Sequence, residues 1–98
     1  MIVEFSVVPI GKDAHLSESI ARLVKIVEKS GLPYELTAMG TIVEGSWDGI
    51  IRVIKACHEK ALETAPRALT RISIDDFPGR SDRLKGKVNA VKEKLANA

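Results

Sequence analysis

Two apolar periods alternate along this chain, and their order narrows the fold more than any single motif does. From Ile2 to Ile10 the apolar residues recur at every second position, with Val3, Phe5 and Val7 on one face and Glu4, Ser6 and Val8 on the other. That alternation marks a half-buried strand, and β-branched residues favour it. Pro9-Ile10-Gly11 ends the strand. From Leu16 the spacing becomes helical: Leu16, Ile20, Leu23, Val24 and Val27 form one stripe opposite the charges. Asp13 or Ser17 is placed to cap this helix, and Ser30-Gly31 to close it.

Strand signals return from Pro33 to Leu36 and from Thr41 to Gly45, with Met39-Gly40 as a tight turn between them. Ser46 is an N-cap for a second helix, from Trp47 to about Thr64. Its apolar stripe is Ile50, Val53, Ile54, Cys57, Ala61 and Leu62, and Ala65-Pro66 stops it. A fourth strand, Ala68 to Asp75, puts Ile72 and Ile74 on one face and Leu69, Arg71 and Ser73 on the other. After a turn at Asp76-Phe77-Pro78-Gly79, a last helix runs from about Asp82 to Leu95, with Leu84, Val88, Val91 and Leu95 as its stripe.

Strand-helix-strand-strand-helix-strand is the split β-α-β order. It predicts an α+β, ferredoxin-like β-α-β-β-α-β sandwich with a four-stranded antiparallel sheet in spatial order 4-1-3-2. Right-handed crossovers put both long helices on one face of that sheet. The C-terminal helix is extra to this topology. At 98 residues the chain has room for one core, so residues 1–98 form a single domain.

Charge and composition exclude several functions. Fifteen Lys and Arg against thirteen Asp and Glu give +2, no general attraction for a polyanion. The third strand has no aromatic residue on which a base could stack, so nucleic acid is not an expected partner. Cys57 and His58 are adjacent on a helix and point about 100° apart, so no metal site is expected. Neither histidine is placed to activate Ser6, Thr41 or Ser73, so catalytic residues are not expected either. The loop from Gly11 to His15 lacks the glycine density of a phosphate loop. With one cysteine, no apolar run of roughly 20 residues and no basic leader, the expected setting is the cytoplasm, with no membrane partner.

The sheet face away from the helices carries Glu4, Ser6, Val8, Glu35, Thr37, Ile42, Glu44, Leu69, Arg71 and Ser73 by strand parity. Val8, Ile42 and Leu69 are expected to meet there as an apolar patch, which a homodimer or homotetramer would cover.

The opening SVVPIG, the segment SGLPYELTAMGTIVEG and the later HEK and RALTRISIDD resemble the YkoF-like thiamin-binding family, from Met1 to about Leu95. The hairpin residues Met39-Gly40-Thr41 and Glu44-Gly45 carry the most specific part of the likeness. The resemblance implies sheet-paired oligomers that bind thiamin, or its hydroxymethylpyrimidine part, near the subunit interface without catalysis. No cofactor is implied beyond thiamin as the bound ligand. Ser6, Thr41 and Glu44 match family positions. With Glu4 and Thr37 they form the expected ligand-binding set, Glu44 being the main anchor, partnered by Arg71 or by a cationic ligand. The same residues suit a cross-strand ladder in which Arg71 pairs with Glu4. Two other functions fit the pattern: an oligomeric module with no ligand, and an ACT-like regulatory domain binding amino acids.

Overall fold

The computed structural model describes residues 1–11 and 16–98, Leu16 by its backbone alone. Its elements are β1 (Ile2–Ile10), α1 (Leu16–Lys29), β2 (Tyr34–Thr37), β3 (Gly40–Glu44), α2 (Trp47–Leu62), β4 (Arg67–Asp75) and α3 (Arg83–Ala96). The strands form one antiparallel sheet in the order β2-β3-β1-β4. This is the ferredoxin-like arrangement read from the alternating periods, with the extra helix at the end.

The core lies where the two periods meet. Val3, Phe5 and Val7 of β1 and Val43 of β3 pack against Leu23 and Val27 of α1 and Ile50, Val53, Ile54, Cys57 and Ala61 of α2. The Ser46 hydroxyl caps α2, accepting from the Gly49 N–H at 3.2 Å. The expected cap Asp13 lies outside the described residues, and Ser17 falls inside α1.

Strand lengths are unequal, and this shapes the site. β1 pairs with β4 over its full length, from Ile2↔Asp75 to Ile10↔Arg67. With β3 it pairs only from Ile2↔Glu44 to Phe5↔Thr41. Beyond Phe5, the β3-side edge of β1 has no neighbouring strand among the described residues. The hairpin turns at Ala38-Met39, one residue earlier than the sequence pattern predicts, so Gly40 is the first residue of β3. Gly40 has φ +157, and a Cβ there would stand 2.8 Å from the Phe5 carbonyl oxygen. Only glycine lets the hairpin come this close to β1.

Four expectations about packing are corrected. Ile72 and Ile74 do face the helix side, opposite Phe5 and Val3, yet they are 45% and 43% exposed. They sit on the edge strand, where α2 offers only its flank; Leu62 of α2 is likewise exposed. Val8 faces Leu69 across the strands, but Ile42 faces Glu4, four residues away along β1. That is about 13 Å, so the three do not make one apolar patch. Finally, the far face of the sheet is not free of helices, because the first turn of α3 docks at its Glu44–Ile2–Asp75 end.

Candidate functional site

The edge of β1 left open beyond Phe5 forms the floor of a groove. Ser6 to Val8 line it from below, the hairpin residues Leu36 to Thr41 from one side, and Ile20, Leu23, Val24 and Val27 of α1 from the other. Cys57 closes its inner end, and the volume is about 260 Å³. The groove exists because the hairpin stops short while α1 continues past it. Ile20 and Val24, part of the stripe read from the sequence, are only half buried for this reason. The walls are apolar, as ligand pockets generally are, with few polar groups to fix orientation.

Those polar groups are specific. Thr41 lies on the helix-facing side, opposite Phe5, and is 8% exposed. Thr41 lines the groove. An unpaired strand edge also presents backbone N–H and C=O groups side by side. A planar ring with a donor and an acceptor on one edge matches such a backbone, provided its faces can lie against apolar walls.

A second, shallower groove of about 280 Å³ lies on the opposite sheet face, lined by Glu4, Ser6, Met39, Arg71 and Ser73 along with backbone neighbours. Glu4 faces Ser73 across the strands, and Ser6 faces Arg71. Glu4 and Arg71 do not close into an ion pair among the described residues.

The five residues singled out by sequence therefore separate into four groups. Ser6 borders both grooves, Thr41 belongs to the inner one and Glu4 to the outer one. Thr37 lines the inner groove, but its hydroxyl is held in the turn. It accepts from the Met39 and Gly40 N–H groups, each at 3.2 Å, and donates to the Gly40 carbonyl at 2.9 Å. Glu44 is taken up elsewhere: its carboxylate accepts from the N–H groups of Arg83 at 2.8 Å and Leu84 at 3.1 Å. Among the described residues Arg71 is not the partner of Glu44. In this structure its partner is the N-terminus of α3, where a carboxylate meets unpaired N–H groups and the positive end of the helix dipole.

Asp82, at the N-cap position of α3, has φ 54 and makes no side-chain cap bond. Glu44 performs that role from another element. Beside it, Asp75 accepts from Arg83 Nη2 at 3.1 Å and Lys87 Nζ at 2.7 Å. The Arg83 hydrogen bond, then the Lys87 hydrogen bond, lowers the Asp75 carboxyl from 3.8 to about 2. Phe77 lies beneath the guanidinium groups of Arg80 and Arg83, at 5.1 and 5.2 Å. Sequence reasoning missed this docking cluster. Its residues are distant in sequence, and Glu44 and Asp75 look like ordinary strand-end carboxylates. The inner groove left a faint signal in the apolar hairpin residues Leu36 and Met39, which have no place in the core stripe.

Burial raises the Cys57 thiol from 9.0 to about 11, and its Sγ contacts the Leu23 carbonyl at 3.6 Å. A thiol so placed is inert packing at neutral pH. Among the described residues no cluster of His, Cys, Asp and Glu could hold a metal ion, and no helix is long and apolar enough to cross a membrane.

The sequence profile of the family described as "Thiamine-binding protein" matches residues 3–92. The chain belongs to that family. Its relatives include a UPF0045 protein of Methanocaldococcus jannaschii, 29% identical over 93 residues that cover 95% of this chain and 93% of the relative. A UPF0045 protein of Methanothermobacter thermautotrophicus is 35% identical, with 94% and 96% covered. The crystal structure of the M. jannaschii protein superposes with a TM-score of 0.85 over 94% of this chain and 95% of that one. A Thermotoga maritima structure, described as a candidate thiamine biosynthesis/salvage protein, is 27% identical, with a TM-score of 0.76 over 90% of this chain and 96% of its own. The family match and these neighbours support a small-molecule-binding role. They also agree with the ferredoxin-like fold with an added C-terminal helix.

Proposed function

We propose that this protein binds thiamin non-enzymatically, holding the aminopyrimidine ring in the inner groove between α1 and the β2–β3 hairpin. The family match over residues 3–92 is the observation that carries this reading. The chemistry of the groove supports it: a ring with an amine donor beside a ring-nitrogen acceptor suits the open β1 edge, and Thr41 supplies a hydroxyl between apolar walls. Ser6 is the second hydroxyl, at the mouth. Glu4 lies beyond it, where a carboxylate can balance the thiazolium charge. Thr37 and Glu44 shape the site from behind, Thr37 by fixing the turn and Glu44 by fixing α3.

The protein acts as a self-associated oligomer in the cytoplasm, where the lone thiol of Cys57 stays reduced. Support for association comes from the apolar surface left exposed on β4 and α3. The role in this reading is carriage or salvage of the ligand, in line with the thiamine-binding family.

Calorimetry with thiamin and with hydroxymethylpyrimidine tests this reading. Both bind the wild type, and Thr41→Val weakens both by about 1 kcal/mol, the net worth of one hydrogen bond. Absence of binding by either compound refutes it, and so does an unchanged affinity in Thr41→Val for the site.

A further inference from the structure

The two grooves meet at one point. Phe5, Ser6 and Met39 line both, so a ligand whose ring occupies the inner groove emerges past Ser6 onto the outer face of the sheet. What waits there is a pair of opposite charges held apart. Glu4 on β1 and Arg71 on β4 stand diagonally, each directly opposite a serine of the other strand. At that offset Cβ atoms are about 7–8 Å apart, within reach of two long side chains. Yet among the described residues neither Glu4 nor Arg71 is in an ion pair, and both are exposed. Of the other cations near this face, Arg83 and Lys87 are committed to Asp75, and Arg67 stands four residues from Arg71 along β4, away from the groove.

The outer groove therefore offers a carboxylate, two hydroxyls and a guanidinium in one path of about 280 Å³. A uniformly cationic ligand would satisfy Glu4 and be repelled by Arg71. A neutral one would leave both groups unused. The pattern fits a ligand that is zwitterionic along its length, a fixed cation followed by an anionic group. Guanidinium prefers phosphate and carboxylate, to which it can donate two parallel hydrogen bonds.

We propose that the outer groove recognises a phosphate ester on the ligand's tail, so that the form retained is a phosphorylated thiamin rather than thiamin itself. Glu4 faces the thiazolium, and Arg71 with the Ser73 hydroxyl takes the phosphate. This rests on the ring-binding reading above and adds to it the class of ligand selected.

Calorimetry at low ionic strength compares hydroxymethylpyrimidine, thiamin, thiamin monophosphate and inorganic phosphate. Thiamin monophosphate binds about tenfold tighter than thiamin, the scale of one charged hydrogen bond in a partly wet site. In Arg71→Gln the ratio of the two affinities falls close to one, and Ser73→Ala lowers it in the same direction. Glu4→Gln weakens thiamin and its monophosphate while sparing hydroxymethylpyrimidine, which has no cationic ring. A monophosphate no tighter than thiamin, or an affinity ratio unmoved by Arg71→Gln, overturns the phosphate site while leaving the ring site standing. Inorganic phosphate binding as tightly as the ester also overturns it, because the anion would then be held without the ring. Failure of all three ring compounds to bind overturns the ring site and the phosphate site together.

Discussion

Single residues decide where the groove opens, and Gly40 decides most. Its missing side chain lets β3 begin against Phe5, since a Cβ would lie 2.8 Å from a backbone oxygen that cannot move alone. Gly40→Ala should destabilise the fold by about 1–3 kcal/mol, the cost of forcing strained backbone at a closed site. Urea unfolding checks this, and a change within 0.5 kcal/mol would mean the hairpin shifts at no cost. The sequence showed Met39-Gly40 as a turn, but not that glycine was required by the neighbouring strand rather than by the turn. Pairing between distant strands is invisible to local pattern. The same limit hid the fates of Thr37 and Glu44. Parity placed both on the outer face, yet parity cannot tell a free carboxylate from one that caps a remote helix.

At the scale of elements, sequence periodicity served well wherever an element buries one face against a neighbour. The stripes of α1 and α2 and the alternation of β1 led directly to the core residues. It failed for α3, whose stripe is equally clear but has no buried residue. The Glu44 cap and the Asp75 contacts to Arg83 and Lys87 tie α3 to the sheet, with Leu84 half-buried at its start. This arrangement has a pH signature. Asp75 titrates near 2 when folded and at 3.8 by its ordinary value, so its folded carboxylate is favoured. The contribution is fully present above pH 4 and is lost as pH falls through 2, because the unfolded form then gains the proton first. Amide exchange of α3 should accelerate selectively between pH 4 and 2, relative to the neighbouring helices and after correction for intrinsic exchange. Asp75→Asn should reduce that pH dependence. Glu44→Ala should loosen α3 at neutral pH by about 1 kcal/mol, as loss of a cap does. An α3 that stays protected in Glu44→Ala would show that something other than this cap holds it.

The whole molecule is longer than a chain of this size needs to be. Its radius of gyration is 15.1 Å and its extents are 49 × 29 × 20 Å, against about 13 Å for a compact domain of 100 residues. The excess comes from α3, 14 residues that leave the sheet after their first turn and carry Val88, Val91 and Leu95 at 48%, 58% and 70% exposure. A helix this short is marginal in water without tertiary packing, so an exposed apolar stripe on it is costly. A further uncovered apolar surface is on β4, where Ile72 and Ile74 flank the open edge of the sheet. An edge strand of nine residues with no proline is a template for pairing. A second copy related by a twofold axis places β4 antiparallel to β4 and can cover α3 as well, satisfying both surfaces with one kind of partner. Light scattering at micromolar concentration should therefore give a multiple of the 10.7 kDa chain mass. Ile72→Lys with Ile74→Lys should reduce that mass, and so should Val91→Glu with Leu95→Glu, each without unfolding the core, because none of these side chains is buried in the single chain. A wild type that runs at 10.7 kDa would refute association. A variant on β4 that keeps the full mass while the α3 variant loses it would place the contact on the helix alone.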